Sequence, residues 1–338
     1  MMHWDRKKYR RRLLRQLVAM LFGLFGFSFF YHNNNGFALS EQDLEIEERF
    51  ALPLTEVSGL AQLPGSNPPE YMLVSDRQAE LLRFKPSDGT MTPVSFREPL
   101  LQQFSLCRYE NYDDCKQQIK KLTSNWEALS IDASGRVFVL QEHSQSVIVL
   151  APDLRRVEKA LHFDFANSFP DQISRGSQKL RNNALGEGLL LLKKGHFLIA
   201  KEQHPMALVE YGPADHIALG VNAETLLPVD EPFALPAGEG MHADYKALAT
   251  WFLAGHSKCD ISDLAADTSR RLLVLSQSCR AISIIPRLDP GEGVQVLERL
   301  SLPAEIKNPE ALRVTGESWW IGDDRTEKDT QNLYRLRR

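Results

Sequence analysis

The sequence predicts an all-β chain folded as a five-bladed β-propeller. Three observations predict it: a short phrase recurs five times, each copy precedes a turn and an apolar β-rich run, and a third apolar run completes each unit. The copies are Val57-Ser58-Gly59-Leu60, Trp126-Glu127-Ala128-Leu129, Gly186-Glu187-Gly188-Leu189, Ile261-Ser262-Asp263-Leu264 and Pro309-Glu310-Ala311-Leu312. Repeats at this spacing imply a stacked array or a closed propeller.

Within each unit the phrase opens strand a. The a–b turns hold Pro64-Gly65, Ala133-Ser134-Gly135, Lys193-Lys194-Gly195, Thr268-Ser269 and Thr315-Gly316, as hairpin chemistry requires. Strand b follows at 71–74, 137–140, 197–200, 272–275 and 319–321. Strand c follows at 80–84, 147–150, 207–211, 281–285 and 333–336. An outer strand d is expected at Met91–Phe96, Ala160–Phe165, Pro232–Leu235 and Val294–Leu302. The last unit has none, and Leu44–Leu54 has no other assignment. It is expected to join the last unit and close the ring, which removes exposed sheet edges. Three insertions break the spacing, at 99–124, 166–184 and 212–258. The third has room for a sixth blade, since Tyr245–Ala254 is apolar enough for a strand.

The chain divides at about residue 40, with the propeller in 41–338. Of 338 residues, 40 are Lys or Arg and 44 are Asp or Glu, but the charge is unevenly spread. Arg6, Lys7, Lys8, Arg10, Arg11, Arg12 and Arg15 crowd the N-terminus, so the body is strongly acidic, which argues against a nucleic-acid partner. Leu17–Tyr31 is uncharged and rich in Phe and Leu. As a helix it reaches about 22 Å, against a bilayer core of about 30 Å. With Leu13 and Leu14 added and Arg15 snorkelling, a short span is feasible. A cleaved signal peptide and an uncleaved signal anchor both remain open, with the anchor favoured because no good cleavage pattern lies near the apolar run. The arginine-rich flank also loosely matches a twin-arginine signal. Either route carries the body out of the cytoplasm, leaving it in the periplasm and, with the anchor, on the inner membrane.

Four cysteines fit an oxidising compartment. Cys259 and Cys279 straddle a predicted hairpin whose midpoint lies near Ser269, so their thiols are expected to face each other and bond. Cys107 and Cys115 lie in a polar insertion, where they can form a local staple.

In a propeller, the loop entering strand a and the loop leaving strand b open on the same face. Glu127, Glu187 and Glu310 begin strand a, with Ser58 and Ser262 at the same place in the other units. Asp76, Glu142, Glu202, Gln277 and the pair Asp323-Asp324 end strand b. Hairpin arithmetic sets Glu127 opposite Glu142, Glu187 opposite Glu202 and Glu310 opposite Asp324. Facing carboxylates must be protonated, paired or metal-bound. Hard oxygen ligands suit Ca²⁺ or Mg²⁺, making Glu127, Glu187 and Glu310 candidate metal ligands. The competing reading is structural, with Arg77, Lys201, Arg280 and Arg325 neutralising the acids as ion pairs. His143 and His204 follow the strand-b acids and are expected on the same face, so a ligand site would comprise Asp76, Glu142, His143, Glu202, His204 and Asp324. His242 and His256 lie in the third insertion. No zinc spacing, nucleophile elbow, phosphate-binding loop or dinucleotide fingerprint occurs.

Ser58-Gly59-Leu60 with Val74-Ser75-Asp76, Glu127-Ala128-Leu129 with Leu140-Gln141-Glu142, and Glu187-Gly188-Leu189 with Ala200-Lys201-Glu202 resemble the SdiA-regulated (YjiK-like) β-propellers over about residues 50–336. The phrase is also similar to that of the esterase-like phytase propellers. The resemblance implies an exported or membrane-anchored propeller and supplies no catalytic residue. Ser262-Asp263-Leu264 and Ser276-Gln277-Ser278 depart from the acidic pattern. The expectation is a binding module for an unidentified small molecule or envelope protein on an acidic face, with bound calcium. The alternative is a metal-dependent hydrolase of phosphoesters or lactones.

Overall fold

A computed structural model describes residues 41–103, 119–121, 123–165, 168, 186–203, 205–238, 240–253, 259–325 and 330–338. The N-terminal segment, Cys107, Cys115, His204 and His256 lie outside these residues. Among the described residues, twenty-one strands form five blades, antiparallel within each blade's four-stranded core. Blade one is β3 (Val57–Gln62), β4 (Tyr71–Ser75), β5 (Gln78–Lys85) and β6 (Thr90–Ser95), followed by the short helix α1 (Arg97–Gln103). Blade two is β7 (Trp126–Ile131), β8 (Val137–Gln141), β9 (Ser146–Leu150) and β10 (Val157–His162). Blade three is β11 (Gly188–Leu191), β12 (Phe197–Lys201), β13 (Ala207–Pro213) and β14 (His242–Phe252). Blade four is β15 (Asp263–Ala266), β16 (Leu272–Ser276), β17 (Ala281–Ile285) and β18 (Glu298–Ser301), edged by the parallel strand β1 (Glu41–Asp43). Blade five is β19 (Pro309–Thr315), β20 (Ser318–Asp323) and β21 (Leu333–Arg337), completed by β2 (Glu45–Phe50). The fold is a closed five-bladed β-propeller.

Closure is visible in the packing. Five buried clusters fill five seams between successive blades, the last joining blade five to blade one through Leu60, Leu73, Ala311 and Trp320. The recurring phrase has a mechanical reason. Its fourth residue always seals the seam with the preceding blade: Leu60 with blade five, Leu129 with blade one, Leu189 with blade two, Leu264 with blade three and Leu312 with blade four. Its third residue is small because adjacent inner strands nearly touch. A Cβ on Gly59 would stand 2.7 Å from the Leu129 nitrogen, and one on Gly188 would stand 2.8 Å from the Leu264 nitrogen. Asp263 is the exception. Its buried carboxylate reaches across instead, accepting hydrogen bonds from Leu312 N (2.6 Å) and Leu264 N (2.7 Å). The a–b turns use left-handed residues as the sequence implied, at Gly65, Gly135, Gly195 and Gly316, with Arg270 in that conformation in blade four.

Two expectations about the third insertion fail. Pro232–Leu235 is no strand: Phe233 N donates to Asp132 Oδ2 (2.9 Å) and its ring packs on Phe138 at 5.0 Å, pinning the segment as a loop. Tyr245–Ala254 builds no sixth blade. Residues 242–252 are the outer strand of blade three, and their start also pairs in parallel with β10, fusing blades two and three into one eight-stranded sheet. Outer strands are half exposed, so their alternation is a weak signal. Among the described residues no helix is long and apolar enough to cross a membrane, and the expected anchor lies outside them.

The bond between Cys259 and Cys279 is present, with Cα atoms 5.2 Å apart. Both cysteines sit beyond the ends of β15 and β16, yet they continue the register in which Asp263 faces Leu275.

Candidate functional site: an acidic mouth

The inner strands begin at one mouth of the central channel, and the b strands end there. Between them lies a polar cavity of about 320 Å³. Glu127, Glu187 and Glu310 line it from strand a, beside Ser262. Asp76, Glu202, Gln277 and Asp324 line it from the loops after strand b. Six of the nine acids and histidines singled out from sequence therefore meet in one place.

Local irregularity aims two of these acids. Pairing shifts between Trp126 and Ala128 and between Pro309 and Ala311, so Glu127 and Glu310 are bulge residues; Ser58 has the same position in blade one. A bulge inserts an unpaired residue and redirects its side chain. The bulges also correct the expected pairings. Glu127 and Glu310 have no single cross-strand partner. In blade three the paired register ends at Gly188 with Ala200, whose carbonyl also accepts from Glu187 N (3.1 Å), so Glu187 is not set opposite Glu202.

The remaining candidates divide. Glu142 is buried beside the cavity, accepts from Asn125 Nδ2 (3.4 Å), and raises the pKa of Glu127 without lining the cavity itself. His143 is exposed and does not line the cavity, because the turn after β8 carries it outward. His204 lies outside the described residues. Two lining acids were missed, Glu56 and Asp260. Each stands two residues before the phrase acid or serine, a place held by Asn125 and Asn308 in blades two and five. That recurring polar position is the signal that would have found them.

The expected neutralising cations are only partly at the cavity. Arg77 lines it, forms a two-nitrogen ion pair with the lining Glu56, approaches Asp76 at 4.0 Å and pulls against the rise in the pKa of Asp324. Arg325 pairs with the buried Asp323 (2.8 Å), and Arg280 donates to the Ala304 carbonyl (3.4 Å). Lys201 is buried and donates to the Gln203 carbonyl; burial lowers its pKa, against the pull of Glu202, Glu142 and Glu187. Asp260 is satisfied by Ser276 Oγ (2.9 Å) and Ser278 N (3.0 Å).

The other acids hold negative charge in short supply of compensation. Glu127 and Glu187 are pushed well above the carboxylate range, first by burial and then by each other's neighbours. Burial, reinforced by Asp324 and Glu127, raises Glu310 to about 9. Burial and Asp324 raise Asp76 to about 6, and Asp324 is itself raised. One oxygen each of Asp76 and Asp324 is buried with no hydrogen-bond partner. Glu310 receives a bond from Gln277 Nε2 (3.0 Å) and Glu202 one from Gln203 Nε2 (2.5 Å). The set offers hard oxygen donors of the kind Ca²⁺ takes. Among the described residues, however, no group of three His, Cys, Asp or Glu side chains is arranged to hold a metal ion.

No family model matches the chain, and no curated protein matches it in sequence. Solved structures similar in shape include a Myxococcus xanthus glutaminyl cyclase (9% identity, 88% of this chain and 97% of that one, TM-score 0.47). A PQQ-bound aldose sugar dehydrogenase from Streptomyces coelicolor gives 12% identity, 87% and 98% coverage and a TM-score of 0.44. A calcium-binding regucalcin from Agrobacterium tumefaciens gives 10%, 88% and 95%, and 0.44. At such values none of them says what this chain binds.

Proposed function

We propose that the chain is a ligand-binding propeller module whose acidic mouth takes a cation, with calcium as the ion. The observation that carries this reading is the cavity lined by Asp76, Glu127, Glu187, Glu202, Glu310 and Asp324, in which the one lining cation among the described residues, Arg77, is ion-paired to a further lining acid, Glu56. Without a cation, burial and repulsion raise the pKa of each of these acids. A cation supplies what the protein's own arginines do not. A volume of about 320 Å³ exceeds the needs of a bare ion, so calcium would enter with water completing its shell. The Cys259–Cys279 bond supports an exported propeller, and the basic flank with its apolar run supports an inner-membrane anchor.

One observation favours hydrolysis as the second reading. Asp76 at about 6 and Glu310 at about 9 bracket neutrality, as an acid–base pair would. Isothermal titration with CaCl₂ and with putrescine separates a metal site from an amine site. Calcium binding that weakens at least tenfold in Glu187→Gln is expected. Calcium-dependent turnover of a phosphoester or lactone, lost in the same variant, would move the reading to the hydrolase. No binding of either cation would sink both.

A further inference from the structure

The inner strands end at the opposite mouth of the channel, and there the chemistry reverses. Gln62, Ile131, Leu191, Ala266 and Thr315, one from each blade, surround a cavity of about 420 Å³, which the 226–230 segment of the third insertion borders. Its walls are mainly apolar, with Leu190, Leu226 and Val229 among them. Arg313 of β19 lines it too. The Arg313 Nε is buried without a hydrogen-bond partner, and among the described residues no carboxylate lies within ion-pair distance of its guanidinium.

The other charged groups at this mouth are already engaged or stand on the rim. Arg270 donates to the Leu226 carbonyl. Asp267 is held by Arg271 through Nε (2.7 Å) and the backbone nitrogen (2.8 Å). Asp230 is exposed. Asp263 lies close enough for its field to reach Arg313, but both its oxygens are taken by Leu264 N and Leu312 N. Arg313 is half-buried, with its Nε desolvated and unpaired, and such an arrangement costs stability, which makes it a poor structural device.

The geometry points to a second binding site at this mouth, for a small amphiphilic carboxylate whose head group meets Arg313 and whose apolar body lies against Leu190, Leu226 and Val229. A guanidinium fork matches a carboxylate with two parallel hydrogen bonds. Among the described residues Arg313 and Arg270 both lack an ion pair, while Asp267 is paired with Arg271 and Asp230 stands on the rim, so the one net positive charge left suits a monoanion better than a phosphate dianion. The volume is in the range of small-molecule pockets, roughly 300–1,000 Å³. This site is independent of the acidic mouth.

Sodium octanoate is a direct probe, with 1-octanol as its neutral counterpart. By isothermal titration the full chain should bind octanoate at one site at least tenfold more tightly than octanol. Arg313→Met should abolish that preference without lowering Tm, because a half-buried charge with an unpaired Nε is removed. Glu187→Gln should leave octanoate affinity unchanged, whatever it does to calcium. If Arg313→Met does not fold, Val229→Asp (81% exposed in the parent) adds a repelling carboxylate at the mouth and should weaken octanoate at least threefold. Absence of an octanoate preference in the parent chain overturns the proposal. So does unchanged octanoate affinity in Arg313→Met or, should that variant not fold, in Val229→Asp.

Discussion

At the scale of single residues, the acidic mouth stores electrostatic cost that pH and substitution can release. Glu310 has an ordinary value of 4.5 and is raised to about 9. The folded state therefore holds its proton more tightly than the unfolded chain does. The stability it contributes is present below about 4.5 and is lost as pH rises toward 9. Glu187 acts in the same direction. Without added cation, Tm should fall as pH rises from 5 to 9, and calcium should reverse much of that fall. Glu310→Gln should flatten the profile and raise Tm at pH 8 by a few degrees, at about 2–4 °C per kcal/mol. A flat parental profile would remove the electrostatic account. The choice of residues at this mouth was largely legible in sequence, because the phrase repeats and its second position is acidic three times. Their aim was not. A bulge at Glu127 or Glu310 depends on how two strands pair, and the pattern of apolar residues is the same with or without it. The cations were partly legible: Arg325 pairs with Asp323 as its place beside the strand-b acids implied, whereas Arg77 goes to Glu56, an acid the phrase does not contain.

At the scale of elements, strands buried on both faces were the easiest to find. Strands β4, β8, β12 and β16 are buried throughout, and their apolar runs were read correctly to within a residue or two. Strand β14 was found as a strand, but its blade was not, because its pairing with β13 and β10 places it and its own composition does not. Two histidine pairs brace the insertion that leads to it. His196 Nε2 meets His216 Nδ1 (2.8 Å), while the other imidazole nitrogen of His196 meets the buried Glu210 (2.7 Å). His162 Nε2 meets His242 Nδ1 (2.7 Å) where β10 joins β14. Burial, then His242, lowers the pKa of His162 below its ordinary 6.5. The pair's contribution is thus present above about 6.5 and lost as pH falls below it. Hydrogen exchange at 242–246 should accelerate between pH 7 and 5 beyond the intrinsic pH effect, and His242→Gln should remove the excess. The disulfide has a larger effect. Its loop of 20 residues corresponds to about 3 kcal/mol. Cys259→Ser with Cys279→Ser should lose about that much in chemical denaturation.

At the scale of the whole molecule, a ring is only as stable as its last seam, and here that seam joins the two ends of the propeller domain. Strand β2 pairs with β21, and the following segment buries Leu52 and Leu54 between blades five and one. One side chain latches it. Asn332 is buried; its Oδ1 accepts from Leu52 N (2.8 Å) and its Nδ2 donates to Leu54 O (2.6 Å). Its own backbone nitrogen donates to Phe50 O (3.0 Å). Asn332→Ala would leave a buried amide and a buried carbonyl unpaired, at roughly 1–3 kcal/mol each, so about 3 kcal/mol in all. At this size that corresponds to a Tm lower by roughly 10 °C. The location of the damage tests the closed ring more sharply than its amount. In a cooperative ring, loosening the latch exposes the seam between blades five and one, so exchange should rise in β2, β3 and β21 together. Exchange confined to 41–54 would mean that the segment merely lies on a ring that holds without it.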